Sequence, residues 1–285
     1  MGRFCLFLSI LTGSISALVA PLPSFARSLV AIQASGTLKV GLTGDYAPFS
    51  FRDSKGEYTG ADVTMAISLS KTLGLKLAIV QTTWRTILAD LEAERFDIVM
   101  GGVSVTPDRA AVGYFSVPVL LDGKRPIVRC ADKDRYISIA SIDRPDVRVV
   151  VHPGGTNERF DRANFPHAQI SEYPDNRTIY GELEAGRADV IMSDGEIVDY
   201  ESRRHPGTLC PANVAEPFDH YAKAYLMSRD LELKQAVDAW VVHSLDYGRF
   251  KRALADATAG ISEECGVTLA QDTHAHAKRR LNLRR

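Results

Sequence analysis

Four short stretches hold residue types that could bind a small anion or move a proton. Ser193-Asp194-Gly195-Glu196 sets two carboxylates two positions apart. In a partly desolvated cleft, lost solvation and like charge both raise a carboxyl pKa, which makes a Glu a proton donor near neutral pH. The same residues also suit a helix start, with Asp194 as cap and Glu196 in a first turn favoured by the helix dipole. The run from Gly101-Gly102 to Ser104, Thr106, Pro107 and Arg109 offers two hydroxyls and a guanidinium fork that matches a carboxylate. It too reads as a helix N-terminus, capped by Thr106 with Pro107 at the first helical position, and such an end is itself an anion site. Pro153-Gly154-Gly155-Thr156-Asn157-Glu158 has similar character. It has no following Gly-Lys-Ser/Thr and no GxGxxG spacing, which argues against nucleotide binding. Tyr46 and Phe49, beside Pro48, and Trp84 in the Thr82-Thr83-Trp84 turn supply aromatic surface, either for an apolar ring or to cover a domain edge.

Strand-like and helix-like segments alternate around these stretches. Residues 37–42, 75–82 and 97–100 read as strands, and residues 61–73 and 84–95 carry helical apolar spacing. The pattern restarts with a strand at 147–151, a helix from about 157, a helix at 179–185 and a strand at 188–192. A strand at 223–227 and a long helical region at 230–254 follow. This order predicts an α/β fold of two lobes, each a mostly parallel sheet flanked by helices, with the ligand cleft between them. The candidate loops all follow strands, where such sheets bind ligands. The expected organisation is a first lobe over 27–127, a second over 128–222, a return to the first over 223–260, and a tail over 261–285.

The chain has 285 residues, 45% hydrophobic and 24% charged, with a formal net charge of −1. That balance gives no sign of a nucleic-acid partner or an anionic membrane surface. Arg3, the apolar run at 4–20, Pro21, Pro23 and Ser24-Phe25-Ala26 describe a secretory signal peptide over 1–26, cleaved on export. No later run is apolar enough to span a bilayer, so the mature protein is expected in the periplasm without membrane insertion. Cys130, Cys210 and Cys265 remain after the leader; three pairs are conceivable, and Cys130 with Cys210 is favoured. No CxxC or His/Cys cluster has metal-ligand spacing, so no metal is expected.

Gly44-Asp45-Tyr46, Pro48-Phe49, Gly60-Ala61-Asp62, Trp84, Thr106-Pro107-Asp108-Arg109 and Phe115-Ser116-Val117-Pro118 occur in an order that resembles family 3 of the extracellular solute-binding proteins, over roughly residues 36–258. Four further motifs resemble the periplasmic cyclohexadienyl dehydratases, which are enzymes on that scaffold. They are Asp122-Gly123-Lys124 to Cys130, Pro153 to Glu158, Asn176-Arg177-Thr178-Ile179 and Arg203-Arg204-His205-Pro206.

This resemblance implies decarboxylating dehydration of prephenate to phenylpyruvate, or of arogenate to phenylalanine. Aromatisation supplies the driving force, so no cofactor is implied. By carry-over, Arg109, Thr106 and Ser104 hold a carboxylate, and Thr156 and Asn157 orient polar substrate atoms. Tyr46 and Trp84 wall the ring, and Lys124 adds positive charge. The family's catalytic Glu lies three residues after the strand-end Asp, a position that here is Ile197, while the Glu stands one step earlier. Glu196 is the expected general acid, with Asp194 as the alternative. The competing expectation is a binding protein that delivers an amino acid to a transporter.

Overall fold

A computed structural model describes residues 27–259; the predicted leader and the predicted tail lie outside the described residues. In the first lobe, strand Thr37–Leu42 lies between Lys76–Gln81 and Ile98–Val99, and all three are parallel. Parallel neighbours need a crossover, and helices Ala61–Thr72 and Ile87–Glu92 provide two of them. Leu38, Val40 and Leu42 are fully buried against Met65, Ala66 and Leu69 of the first helix, in one apolar cluster. Leu226–Met227 then pairs antiparallel with Ile98–Val99, and Tyr114–Phe115 closes the edge.

The second lobe repeats this plan. Arg148–Val151 pairs in parallel with Gln169–Glu172, and a parallel bridge from Val149 to Val190 links them to Ile191–Asp194. Lys124–Arg129 lies antiparallel to Ile191–Asp194, with Leu209–Pro211 beyond it. A second apolar cluster, including Val128, Tyr136, Val147, Phe165 and Met192, fills this lobe. The Cys130–Cys210 disulfide, the favoured pairing, fastens its edge.

Each sheet is therefore mixed rather than mostly parallel, for a simple reason. The three parallel strands end at the cleft, whereas a strand arriving from the other lobe begins there and must run in the opposite sense. Lys124–Arg129 and Leu226–Met227 are those arrivals. The crossings themselves, Leu120–Asp122 and Tyr221–Lys223, pair antiparallel as a two-stranded hinge. The expected strand at 223–227 is thus divided between hinge and sheet. Strand Lys124–Arg129 straddles the expected boundary at 127/128 and belongs wholly to the second sheet. The long C-terminal helical region is two helices, Leu231–Asp246 and Arg249–Ala259, broken at Gly248, whose φ of 62° suits glycine. Among the described residues no helix is long and apolar enough to cross a membrane.

Candidate active site

The parallel strands of both lobes deliver their following loops to one cavity. It is lined by Tyr46, Trp84, Ser104, Arg109, Thr156, Asn157 and Asp194, with His152, Asn176 and two glycines completing the wall. The first lobe supplies the aromatic side. Tyr46 ends the short strand Asp45–Tyr46, and its ring meets that of Trp84 edge-on at 5.2 Å. Trp84 is held by its indole N–H, which donates to Asp45 Oδ1 at 3.1 Å. Gly154 lets the second lobe come this close, since a Cβ there would stand 2.8 Å from the Arg85 backbone.

Asp194 is the centre of the site. It ends the buried strand Ile191–Asp194 and precedes helix Gly195–Arg204, yet its side chain caps nothing. Instead its carboxylate accepts from Lys124 Nζ at 2.5 Å, from Tyr46 Oη at 2.5 Å, and from Lys223 Nζ and Tyr221 Oη. These partners come from both lobes and from the hinge. Burial alone would raise this carboxyl, but the two ammonium groups and their hydrogen bonds hold it well below the usual carboxylate range. Asp194 is therefore an anionic anchor, and the proton-donor role expected of it as the alternative acid does not fit.

Two lysines, each 1% exposed, stand directly behind the cavity wall. Lys124 Nζ also donates to Thr156 Oγ1 at 3.0 Å and to Asn157 Oδ1. Lys223 Nζ donates to Gly102 O at 2.9 Å and Ser104 Oγ at 3.2 Å. Burial pushes the Lys223 ammonium below its ordinary value, with Asp194 opposing. Arg109 is equally enclosed; it donates to Ser104 O at 2.9 Å and lies over the Trp84 ring. Burial lowers its guanidinium to about 10, so it stays charged at neutral pH.

Two residues expected in the site lie outside the cavity lining. Thr106 stands at the capping position of helix Pro107–Val112, with Pro107 at its first turn, but its buried hydroxyl makes no capping hydrogen bond and it does not line the cavity. Glu196 faces away from the cleft, into a polar recess shared with Asp122, Arg125 and Asp199. The cause is helical rotation: at about 100° per residue, two steps past Asp194 turn a side chain to the far side. Burial and the neighbouring Asp122 raise the Glu196 carboxyl, but they do so outside the cavity. Ile197, one step further, is the residue that turns inward; it lines an adjoining chamber beside Tyr46 and Tyr180.

Sequence reasoning missed Lys223, Tyr221 and His152. His152 carried the one available signal, since it follows strand Arg148–Val151 immediately before the Pro153-Gly154-Gly155 turn. Its Nδ1 lies 3.1 Å from Tyr173 O, and its Nε2 lies 3.8 Å from Asp45 Oδ2. Among the described residues no His/Cys/Asp/Glu group is arranged to hold a metal ion.

Residues 38–255 match the bacterial extracellular solute-binding proteins, family 3. A cyclohexadienyl dehydratase from Pseudomonas aeruginosa is 45% identical over 207 residues, covering 73% of this chain and 77% of that protein. An ancestral amino acid-binding protein, described as a precursor of cyclohexadienyl dehydratase, superposes with a TM-score of 0.73. It is 32% identical and covers 81% of this chain and 98% of its own. An ancestral cyclohexadienyl dehydratase is 44% identical, with a TM-score of 0.51, covering 82% of this chain and 97% of its own.

Proposed function

This chain belongs to family 3 of the bacterial extracellular solute-binding proteins, and we propose that it uses that scaffold for catalysis, as a cyclohexadienyl dehydratase. The reaction is the decarboxylating dehydration of prephenate to phenylpyruvate, of arogenate to phenylalanine, or both. The observation that carries this reading is the 45% identity to a cyclohexadienyl dehydratase across 77% of that enzyme.

The cavity suits the chemistry. Prephenate is a dianion with a carboxylate on a non-aromatic ring and a hydroxyl on the opposite carbon. Loss of CO2 pushes an electron pair into the ring, and the hydroxyl leaves as water. Prephenate dianion plus one proton gives phenylpyruvate anion, CO2 and water, so each turnover consumes a proton. Arg109 and the N-terminus of helix Thr156–Asn164 receive the carboxylates. Tyr46 and Trp84 wall the ring. Asp194 fixes both lysines, and with Glu196 turned away, the Lys124 ammonium is the donor to the departing oxygen. Family membership and the disulfide support an exported, periplasmic location.

One observation favours a second reading. An ionised Asp194 and a charged Arg109 line the same cavity, the complement of an α-amino and an α-carboxylate group. On that reading the chain delivers an amino acid to a transporter. Purified protein with prephenate separates the two by phenylpyruvate absorbance. The dehydratase reading expects turnover in the wild type and a loss of about 10²-fold or more in Arg109→Ala. No turnover, with a melting temperature raised by an amino acid, establishes the binding protein instead.

A further inference from the structure

We propose that Asp161 is a positioning residue of this site, a buried carboxyl that stores the proton consumed in each turnover and returns it to Lys124. The proposal rests on the dehydratase reading above and supplies the acid that the displaced Glu196 does not.

Asp161 lies in helix Thr156–Asn164 and is 0% exposed. Neither of its carboxyl oxygens has a hydrogen-bond partner among the described residues. An Asp placed this way stabilises nothing that an apolar residue would not, because a buried polar group without a partner costs free energy. Native proteins hold few such groups, and each needs a reason. Position supplies one. Asp161 is four residues after Asn157, so the two share a helix face, and Asn157 is one of three residues that accept from the Lys124 ammonium.

The charges around Asp161 agree. Burial raises its carboxyl well above the usual range, while Lys124 and Arg162 pull it down less strongly and Glu158 pushes it up. Arg162 is occupied by Glu158 and Glu172. The two strands packed on this helix present Arg148, paired with Asp189, and Asp194, paired with both lysines. These cations are engaged by other carboxylates, and burial, the largest influence on Asp161, favours its neutral form.

The step balances. A Lys124 N–H bond breaks as an O–H bond forms on the leaving oxygen, and the ring C–O bond breaks to release water. The neutral lysine, swinging on its flexible stem, takes the Asp161 proton. The carboxylate and ammonium then face each other until solvent reprotonates Asp161.

The test is kcat against pH for the wild type, Asp161→Asn and Asp161→Ala. The proposal expects kcat to fall about 10²-fold at acid pH in both variants. That gap closes as pH rises and the wild type loses its stored proton. KM stays within about threefold, and the melting temperature is unchanged or higher. A purely structural Asp161 leaves kcat and its pH profile unchanged in either folded variant, which overturns the proposal alone. A wild type inactive at every pH removes the dehydratase reading, and the proton store with it.

Discussion

The two lobes place a buried carboxyl close to a buried lysine, yet the two carboxyls differ in kind. In the first lobe Asp62 lies near Lys223 and accepts from Gly101 N at 2.9 Å, Gly102 N at 2.7 Å and Tyr225 Oη at 3.0 Å. In the second lobe Asp161 feels the Lys124 charge but accepts nothing among the described residues. Burial lifts Asp62 only to about 6, because its hydrogen bonds and Lys223 oppose desolvation. Burial raises Asp161 too, with no hydrogen bond to oppose it. Filled lone pairs make Asp62 a clasp on the Gly101-Gly102 turn, whose Gly102 lines the cavity. Empty ones leave Asp161 to favour its proton. What a buried carboxyl does is decided by its donors rather than by its depth.

The largest effect comes from removing what joins the two halves. Asp194→Ala leaves two buried ammonium groups without their shared counter-ion, so unfolding free energy should fall by about 3–5 kcal/mol in urea or heat. A loss below about 1 kcal/mol would mean that the lysines find other partners, and that the lobes are not coupled through this carboxylate.

The comparison sharpens when each carboxyl becomes an amide. Asp62→Asn removes the acceptor of two backbone N–H groups and a tyrosine, and should cost about 2 kcal/mol at pH 7. Asp161→Asn should cost nothing, so equal losses would erase the distinction. The pH dependence carries the sign. The folded proton affinity of Asp62 exceeds its unfolded one. Its contribution is therefore full below about pH 4 and lost as pH rises through about 6. That slope in a pH series of melting temperatures should vanish in Asp62→Asn.

Much of this arrangement was legible in the residues. Periodicity exposed the alternating strands and helices, and Gly-rich turns after apolar strands marked the cavity wall at Ser104, Arg109, Thr156 and Asn157. Pairing Cys130 with Cys210 needed only their bracketing of the middle of the chain. The antiparallel arrivals escaped, because Lys124–Arg129 has a charged start and a Pro, and strand direction leaves no trace in composition. Lys223 and Tyr221 escaped because a hinge strand has no periodicity long enough to separate inward from outward positions. Asp161 looked like one polar residue on a polar helix. Its burial follows from how that helix rests on the second sheet, a tertiary fact that local pattern does not carry.

The smallest expected effect concerns the residue that looked most like an acid. Glu196 shares its recess with Asp122 and Asp199, and both disfavour its charge. Glu196→Gln removes one member of a like-charged group, so stability at pH 7 should hold or rise by less than about 1 kcal/mol. Prephenate turnover should change less than about twofold, since the side chain lies on the far side of Asp194 from the cavity. A collapse of about 10²-fold or more would mean that helix Gly195–Arg204 turns during the catalytic cycle and carries Glu196 into the cleft. Glu196 and Asp161 would then compete for one role, and the double variant decides between them. Losses that multiply mean two separate proton sources. A double variant no worse than Asp161→Asn makes Glu196 a feeder of the same proton path, and one no worse than Glu196→Gln returns the acid to the strand end.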